Sequence, residues 1–444
     1  MRRHFYEALK KYRRMDMSSF HTPGHKCNFS VLNRLLSLDF TELPMTDSLY
    51  EASGIIKKAE DSLSALFKNQ KSIFSSGGNT LCIQTMLRLV APNGGKILCD
   101  RVVHRSAVSA MAMLGIEPIW IKRRFNKENR LYDMLNIKEI KNKLKSEADI
   151  KACYVTNPSY HGILQDIKAI SEECKKYGVP VIVDNAHGSH LMFVGKNLHP
   201  LKQGADLAAD SAHKTLPVLT GGAWLHINNE KFLKDAKSAM ALFGSTSPSY
   251  PIMASMDICV DWLKNRGKTE FLKLKEKTAN IKKLAKEKGF YVLDEKCDPV
   301  RISLGVWNFG ITGYEFGNYL RKFKVEPELC DEDYVVLIPT PFNSKKDWQR
   351  LKRALNNVNK FYKKNEKPLS YPEFKLPVAA GSIRESIMGE KEVVDVKNSE
   401  GKIAAEIVCP CPPGVPVIMP GERIGDFEVE ALKKYGISEL AVLK

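Results

Sequence analysis

The stretch IKACYVTNPSYHGILQDIKAISEECKKYGVPVIVD, residues 150–184, decides the fold class of this chain. An apolar run, IKACYVT, is followed by a polar loop, by a helical segment that ends at a glycine, and by a second apolar run, VPVIVD. Short apolar runs bounded by turn residues indicate buried strands, and a helix between two such runs indicates parallel strands. The stretch therefore predicts a strand–helix–strand unit.

The same alternation continues on both sides of this unit, between about residues 70 and 230. KSIFSS precedes the helical segment NTLCIQTMLRLV, and GKILCD precedes the helical segment HRSAVSAMAMLG. Strands separated by helices predict a mostly parallel sheet with helices on both faces. The expected fold class is therefore α/β.

The chain has 444 residues, which is too long for one simple core, and its pattern changes along its length. After residue 268 a lysine-rich helix precedes FYVLDE, RISLGVW, TGYEFGNYLRKFK and DYVVLIPT, which indicate a smaller α/β domain with an antiparallel sheet. KNEKPLSYPEFKLP is typical of a linker, and CPCPPGVPVIMPGERI is too rich in proline for a regular helix or central strand. We predict four parts, at residues 1–44, 45–267, 268–365 and 373–444.

Charge and composition narrow the class of protein. The net charge is +17, but the lysines are interleaved with acidic and apolar residues and lack stacking aromatics, which favours a solvated helical surface over a nucleic-acid site. No run is long enough for a membrane span, and the start, MRRHFYEALKKYRRMDMSSF, predicts an amphipathic helix rather than a secretory signal. Ten cysteines without metal-like spacing indicate a reduced, cytoplasmic protein with no metal site.

Useful polar groups follow the predicted strands, where ligands collect in open α/β sheets. The segments are SSGGNT, DRVVHRS, TNPSYHG, DNAHGSH and DSAHK. Gly77 and Gly78 precede a helix whose free amides could bind a phosphate, although the segment has neither a GKS/T ending nor a GxGxxG pattern. An ordinary tight turn that caps the helix is the alternative.

The other polar residues at the strand ends also have structural interpretations when each is taken alone. Asp184 ends VPVIVD, where a carboxylate is costly unless it meets a donor or a cation, yet a capping aspartate is the alternative. His104, His187 and Thr156 are likewise explained by structural roles. No single one of them establishes a site.

Lys214 lies in DSAHKTLPVLTGGAWLH, residues 210–226, among apolar neighbours. Desolvation lowers the pKa of such an amine, and a neutral amine can condense with an aldehyde. A phosphate loop, a ring-stacking histidine, an aspartate for a pyridinium nitrogen and a lysine thirty residues after it stand in the order that pyridoxal phosphate (PLP) requires. The ordered set predicts a PLP site.

Four further motifs carry a resemblance to a known family: FHTPGHK at 20–26, SAHKTLP at 211–217, STSPSYPIMASMD at 245–257 and CPPGVPVIMPGE at 411–422. With them, nearly the whole chain resembles the ornithine/lysine/arginine decarboxylases, which are fold-type I PLP enzymes, and in particular their short, Gram-positive-like branch. The resemblance implies an aspartate-aminotransferase-like, PLP-binding large domain at 45–267 and a decarboxylase-type C-terminal domain at 373–444. It also implies a homodimer or higher homo-oligomer, since STSPSYP would lie near the partner's active site.

The resemblance implies a role for each matching position. Lys214 would bind the aldehyde of the cofactor and later return a proton to the substrate carbon, Asp184 would keep the pyridinium nitrogen protonated, and His104 would stack on the ring. The phosphate would be bound by Gly78, Asn79 and Ser211, with His213 close by. The full set implied around the cofactor is Gly78, Asn79, His104, Thr156, Asp184, His187, Ser211, His213 and Lys214.

The choice of substrate is less well marked. Glu328 and Asp331 in VEPELCD, and Glu422 in PGE, are acidic candidates for the distal cation of a basic amino acid, with structural salt bridges as the alternative. The positions that depart from the usual residues of the family are Asn185, Gly221, Gly222 and Cys411. These departures leave the cofactor site whole and the substrate open.

The leading hypothesis is decarboxylation of a basic amino acid in polyamine metabolism, with arginine to agmatine first and lysine to cadaverine or ornithine to putrescine next. An aminotransferase or another PLP lyase is the alternative on the same fold, and an aminotransferase would need an arginine clamp for a dicarboxylate. A PLP-binding regulator without turnover is opposed by the intact Lys214, Asp184 and His104. The hypothesis of a nucleic-acid-binding module is supported by the net charge alone.

Overall fold

The computed structural model describes residues 15–20, 40–42, 46–195, 197–362, 376–409 and 416–444. Residues 1–14 of the predicted N-terminal helix, all of FHTPGHK after Phe20, most of the linker and Cys411 lie outside these residues. The end of that predicted helix, Ser18–Phe20, is a strand instead. Within the described part of the chain, no helix combines the length and apolar character that a bilayer crossing needs.

Strands and helices alternate through the first half of the chain, as predicted. The strands are β1 (Ser18–Phe20), β2 (Lys71–Ser75), β3 (Gly95–Asp100), β4 (Ile116–Ile121), β5 (Phe125–Asn126), β6 (Leu131–Tyr132), β7 (Ile150–Thr156), β8 (Val181–Asp184), β9 (Leu207–Asp210), β10 (Ala223–Ile227), β11 (Tyr291–Val292), β12 (Ile302–Gly305), β13 (Val325–Pro327), β14 (Leu329–Cys330), β15 (Tyr334–Leu337), β16 (Lys391–Asp395) and β17 (Glu439–Leu443). The α-helices are α1 (Ile55–Phe67), α2 (Gly78–Val90), α3 (Arg105–Leu114), α4 (Ile137–Ser146), α5 (Ile167–Lys175), α6 (Ala212–Thr215), α7 (Ala236–Ala241), α8 (Tyr250–Trp262), α9 (Lys268–Lys288), α10 (Gly313–Lys322), α11 (Lys345–Phe361), α12 (Ile383–Met388) and α13 (Asp426–Lys434).

A seven-stranded sheet forms the centre of the fold, in the order β2-β10-β9-β8-β7-β3-β4. The pairs β9–β8, β8–β7, β7–β3 and β3–β4 are parallel, whereas β10 is antiparallel to both of its neighbours. The prediction of a mostly parallel sheet is therefore confirmed. Because β10 alone is reversed, the ends of β2, β9, β8, β7 and β3 that carry the candidate site residues lie along one edge.

Alternation of apolar side chains packs the sheet from both sides. On β8, Ile182 belongs to a hydrophobic cluster with residues of α2 and α3, while Val181 and Val183 belong to a second cluster with residues of α4 and α5. Burial of each such side chain stabilises the folded state by roughly 1.5–3 kcal/mol. This two-sided burial explains why the strand reads as a continuous apolar run.

The remaining described elements form two smaller units. Strands β11, β12, β15 and β14 form a four-stranded antiparallel sheet, as predicted, and β1 pairs with β13. In the C-terminal part, β16 and β17 form an antiparallel pair over a separate apolar cluster that includes Leu432 and Val442. This part joins the large sheet through the buried Arg101–Glu422 ion pair.

Candidate active site

A cavity of about 680 Å³ opens at the carboxyl edge of the parallel strands. Its walls also include Asp331 and Tyr334 from the four-stranded sheet region, and Val417 and Tyr435 from the C-terminal part. The predicted residues that line it are Gly78, Asn79, His104, Thr156, Asp184, His187, Ser211, His213, Lys214 and Asp331. The sheet therefore brings together residues that are more than 130 positions apart in the sequence, from Gly78 to Lys214.

Lys214 lies on the short helix α6, directly after β9. Its Nζ is 2.9 Å from Nε2 of His187. Burial lowers the pKa of the lysine, although the charges of Asp184 and Glu328 oppose the shift. Burial, and next the Lys214 charge, hold the pKa of His187 well below its usual value, so the neutral imidazole accepts a hydrogen bond from the amine. The surroundings thus favour an amine that can lose its proton, as the sequence predicted.

Asp184 ends β8 and is 2% exposed. Asn79 Nδ2 and the backbone amide of Ala186 donate to its Oδ1 at 2.8 and 3.1 Å, and the Tyr154 hydroxyl lies 3.3 Å from its Oδ2. Burial raises the pKa of Asp184, while the charges of His104 and Lys214 act against that rise. In the described part of the chain, no cationic side chain donates a hydrogen bond to this carboxylate. It is a buried acid that faces a cavity without a direct counterion.

His104 caps the N-terminus of α3. Its Nδ1 accepts from the amide of Ser106 at 3.2 Å, and the Ser106 hydroxyl lies 2.7 Å from the same atom. Burial lowers the pKa of His104. In the neutral ring that results, the proton sits on Nε2, because Nδ1 accepts from the backbone. His104 therefore caps the helix α3 and also lines the cavity.

The glycine loop before α2 contacts the loop that follows α6. Gly78 has φ +69°, and its amide donates to the carbonyl of Gly221 at 2.8 Å. A Cβ at Gly222 would lie 2.3 Å from Cγ1 of Val218, so this position requires glycine. Gly221 and Gly222, where the sequence departs from the family, thus help to hold the glycine loop before α2 in place.

Two groups near the predicted phosphate site have hydrogen-bond partners within the protein. The side-chain amide of Asn79 donates to Asp184, and the backbone amide of Gly78 donates to Gly221, so neither group is directed at an anion. The donors that the first turn of α2 can offer are the backbone amides of Asn79 and Thr80, both of which line the cavity. Ser211 and His213 line the same cavity, and the Ser211 hydroxyl is 3.3 Å from Nδ1 of His213.

Behind this edge lies a buried cluster around Asp210, the last residue of β9. Asn185 Nδ2 donates to Asp210 Oδ1 at 2.6 Å, and His199 Nε2 lies 3.0 Å and His226 Nε2 3.4 Å from Oδ2. Nδ1 of His199 accepts from the amide of Leu201, so its Nε2 carries the proton that faces Asp210. In that tautomer His199 is a neutral donor to the Asp210 carboxylate, so hydrogen bonds hold the cluster together. Asn185 stands at a position where an acid was expected from the resemblance. In this chain the neighbouring acid is Asp210, to which Asn185 donates a hydrogen bond.

The acidic substrate candidates differ in their surroundings. Glu422 is paired with Arg101, whose Nη2 is 2.8 Å from its Oε2, which is the structural salt bridge given as the alternative for this residue. Asp331 lines the cavity, but its Oδ1 accepts two backbone amides and its Oδ2 is 2.7 Å from His161. Glu328 lies in an adjoining cleft, where it accepts from the Tyr160 hydroxyl at 2.7 Å.

Sequence reasoning missed two residues beside the site. The Tyr160 ring lies 4.6 Å from the His187 ring, and the Arg301 guanidinium donates to the carbonyls of both residues at 3.0 and 3.1 Å. The loop NPSYHG pointed to the position of Tyr160, since it follows a strand end. Arg301 directly precedes β12, which belongs to a different sheet. No local sequence pattern indicates its contacts with Tyr160 and His187.

The sequence of this chain matches a known protein family. Residues 3–302 match the family model described as Orn/Lys/Arg decarboxylase, major domain, and residues 364–435 match that of its C-terminal domain. The chain is 31% identical to an arginine decarboxylase of Bacillus subtilis (strain 168) over 455 residues, which cover 97% of this chain and 92% of the relative.

Solved structures support the fold. A constitutive lysine decarboxylase of E. coli has a TM-score of 0.78 at 19% identity and covers 99% of this chain and 82% of its own. A serine palmitoyltransferase of Sphingomonas wittichii has a TM-score of 0.61 at 13% identity and covers 78% of this chain and 86% of its own. The predicted α/β, fold-type I architecture is confirmed.

Proposed function

The chain belongs to the Orn/Lys/Arg decarboxylase family, and from this membership we propose that it decarboxylates a basic amino acid, arginine before lysine or ornithine, with PLP bound in the cavity. When bound, the PLP ring accepts the electron pair that departing CO2 leaves on the α-carbon. One observation carries the proposal: a buried carboxylate without a direct counterion and an amine with a lowered pKa face the same cavity.

The residues present fit this cofactor. Lys214 supplies the amine for the aldehyde, and Asp184 supplies the negative charge that holds a proton on the ring nitrogen. His104, fixed by its capping bond, offers a ring face on the cavity wall. The first turn of α2 and Ser211 offer donors for the phosphate. His187 accepts a hydrogen bond from the Lys214 amine and holds it in place.

Three features favour a basic substrate over a dicarboxylate. Arg123 and Arg130, which line the cavity, are paired with Asp100 and Asp333 and are not available as a carboxylate clamp, whereas Arg105 also lines the cavity. Asp331 lies on the wall, and the Glu328 charge acts on Lys214 from the adjoining cleft. The two ion pairs reduce the number of arginines that an aminotransferase clamp could use, and the relative named arginine decarboxylase supports arginine as the first substrate to test.

The finer expectations are part of the same proposal. A role in polyamine synthesis follows from the amine product, and a cytoplasmic location agrees with the free thiols of the eight described cysteines. The separate apolar cluster of residues 396–442 supports the predicted C-terminal part at 373–444. A homodimer is expected, and sedimentation of the purified protein tests it.

The experiment that tests the reaction is detection of the amine product by mass spectrometry. Purified protein with PLP receives arginine, lysine and ornithine separately. We expect one main amine from the wild type and none from Lys214→Ala. Lys202→Ala is the matched control, because Lys202 is a partly buried lysine away from the cavity, and it keeps activity. Absence of amine from all three substrates with bound PLP contradicts the proposed substrate class.

A further inference from the structure

The carboxylate of Asp184 has donors on both of its oxygens. Oδ1 accepts from Asn79 and from the Ala186 amide, and Oδ2 accepts from Tyr154. Each carboxylate oxygen has about two acceptor positions. Oδ1 is therefore filled, and one position remains on Oδ2.

Tyr154 is a residue of β7 that does not line the cavity. It is 0% exposed and belongs to the apolar cluster between the sheet and the helices α2 and α3. Burial raises the pKa of its hydroxyl well above the usual value, so the group stays protonated and acts as a donor. A phenol hydroxyl buried among apolar groups is costly without a partner, and Asp184 is the partner that it has.

We infer that Tyr154 and Asn79 are positioning residues, which keep Asp184 ionised and leave one acceptor position on Oδ2 for the ring nitrogen of the cofactor. The inference rests on the proposed function. It adds a residue outside the cavity to the machinery that holds the ring proton.

The physical reason is a competition on one carboxylate. Burial favours the neutral acid, and hydrogen bonds from neutral donors favour the anion. An Asp184 that is already protonated cannot hold the proton of a ring nitrogen as an ion pair. The charged groups that act on Asp184 are His104 and Lys214, and neither donates a hydrogen bond to it. The neutral donors therefore determine how strongly the ionised form of Asp184 is stabilised.

Tyr154→Phe tests the inference, because it removes the hydroxyl and keeps the ring. The pH titration of the visible band of bound PLP should shift to higher pH, since a weaker positive charge on the ring nitrogen makes the conjugated imine easier to protonate. We expect kcat to fall about tenfold, the loss of one hydrogen bond to a charged group, with KM changed less than about twofold. Circular dichroism and urea unfolding check that the variant is folded.

The matched control is Tyr319→Phe. Tyr319 is also buried, and its hydroxyl donates to the carbonyl of Ala354 at 2.8 Å, away from the cavity. This variant should keep the wild-type band titration and kcat. Equal titrations and equal kcat values for Tyr154→Phe and Tyr319→Phe would overturn the inference.

A second variant keeps the test available if Tyr154→Phe does not fold. Asn79→Ala removes a donor to Oδ1 and should shift the band in the same direction. An unshifted band in that variant contradicts the inference. A wild type that binds PLP but releases no amine contradicts only the proposed function, because the band titration needs no turnover.

Discussion

Asp184 and Asp210 end neighbouring parallel strands, and both are buried, yet their surroundings shift their pKa values in opposite directions. The pKa of Asp184 is raised, because burial outweighs its donors and the charges of His104 and Lys214. The pKa of Asp210 is lowered, because His199 and His226 more than offset the burial. At the end of β8, Asp184 has no direct counterion. At the end of the neighbouring β9, Asp210 has its hydrogen-bond partners within the protein.

A binding carboxylate and a structural carboxylate in one fold differ in where their partners come from. A structural acid has its donors and cations within the protein, so its ionised form stabilises the fold. A binding acid is incomplete until a ligand arrives, so its ionised form costs stability in the free protein. Exposure does not distinguish them, since Asp184 is 2% and Asp210 is 0% exposed.

The largest effect should come from Asp184→Asn. The amide cannot carry the negative charge opposite the ring nitrogen, and we expect kcat to fall roughly 100- to 1000-fold, as for the loss of one preorganised electrostatic group. The unfolding free energy of the apoprotein should stay equal or increase, because a buried charge is removed. Steady-state kinetics with saturating PLP and urea unfolding measure the two quantities. A kcat within about threefold of wild type would remove Asp184 from the reaction.

Asp210→Asn should give the opposite result. Removal of the charge takes the anionic acceptor away from His199 and Asn185, and each of these hydrogen bonds to a charged group contributes about 1.5–3 kcal/mol of unfolding free energy. Turnover of the folded fraction should remain within about threefold, because Asp210 does not line the cavity. Urea unfolding, with kinetics on the folded fraction, checks this expectation. A loss of kcat comparable to that of Asp184→Asn, at unchanged stability, contradicts it.

How far the sequence predicts this pair follows from the geometry of the sheet. Asp184 and Lys214 were predicted to meet because each follows a strand in a strand–helix–strand pattern, and carboxyl ends of parallel strands share an edge. The partners of Asp210 were not predicted. His226 lies on β10, whose reversed direction and place between β2 and β9 leave no local signal in the sequence.

The limits of prediction at Asn79 and Glu422 have the same origin. A glycine loop before a helix predicts an anion site, but which donors are taken by other groups depends on side chains from distant strands, such as Asp184. Glu422 was one of several acids in a proline-rich segment. Its pairing with Arg101 depends on how the C-terminal part docks, which the periodicity of the chain does not encode.

A smaller effect is expected from cofactor binding. At a PLP concentration of 100 times Kd, the wild type should gain about 2.7 kcal/mol of unfolding free energy. Asp184→Asn should gain less at the same concentration, since its complex lacks the ion pair with the ring. Asp210→Asn should gain as much as the wild type. Urea unfolding with and without PLP gives the three increments, and equal increments for the wild type and Asp184→Asn would falsify the assignment of Asp184.

The smallest and most diagnostic effect is the pH dependence of the apoprotein, measured as the difference in unfolding free energy between the wild type and each variant. For Asp210, whose pKa is lowered, the stabilising contribution is present above the unfolded pKa of 3.8 and is lost as the pH falls below that value. For Asp184, whose pKa is raised, the contribution is full below 3.8 and is lost as the pH rises through the folded pKa. The two differences should therefore change with pH in opposite directions.

Addition of PLP sharpens this last contrast. The ring cation supplies the missing counterion of Asp184, so the loss of stability with rising pH should shrink or disappear in the wild type with PLP, relative to Asp184→Asn. The difference for Asp210 should not change, because its hydrogen-bond partners His199 and Asn185 belong to the protein. Unfolding at several pH values between 3 and 8, with and without PLP, separates the two cases. Identical slopes for both aspartates, in either condition, contradict the division into a binding and a structural carboxylate.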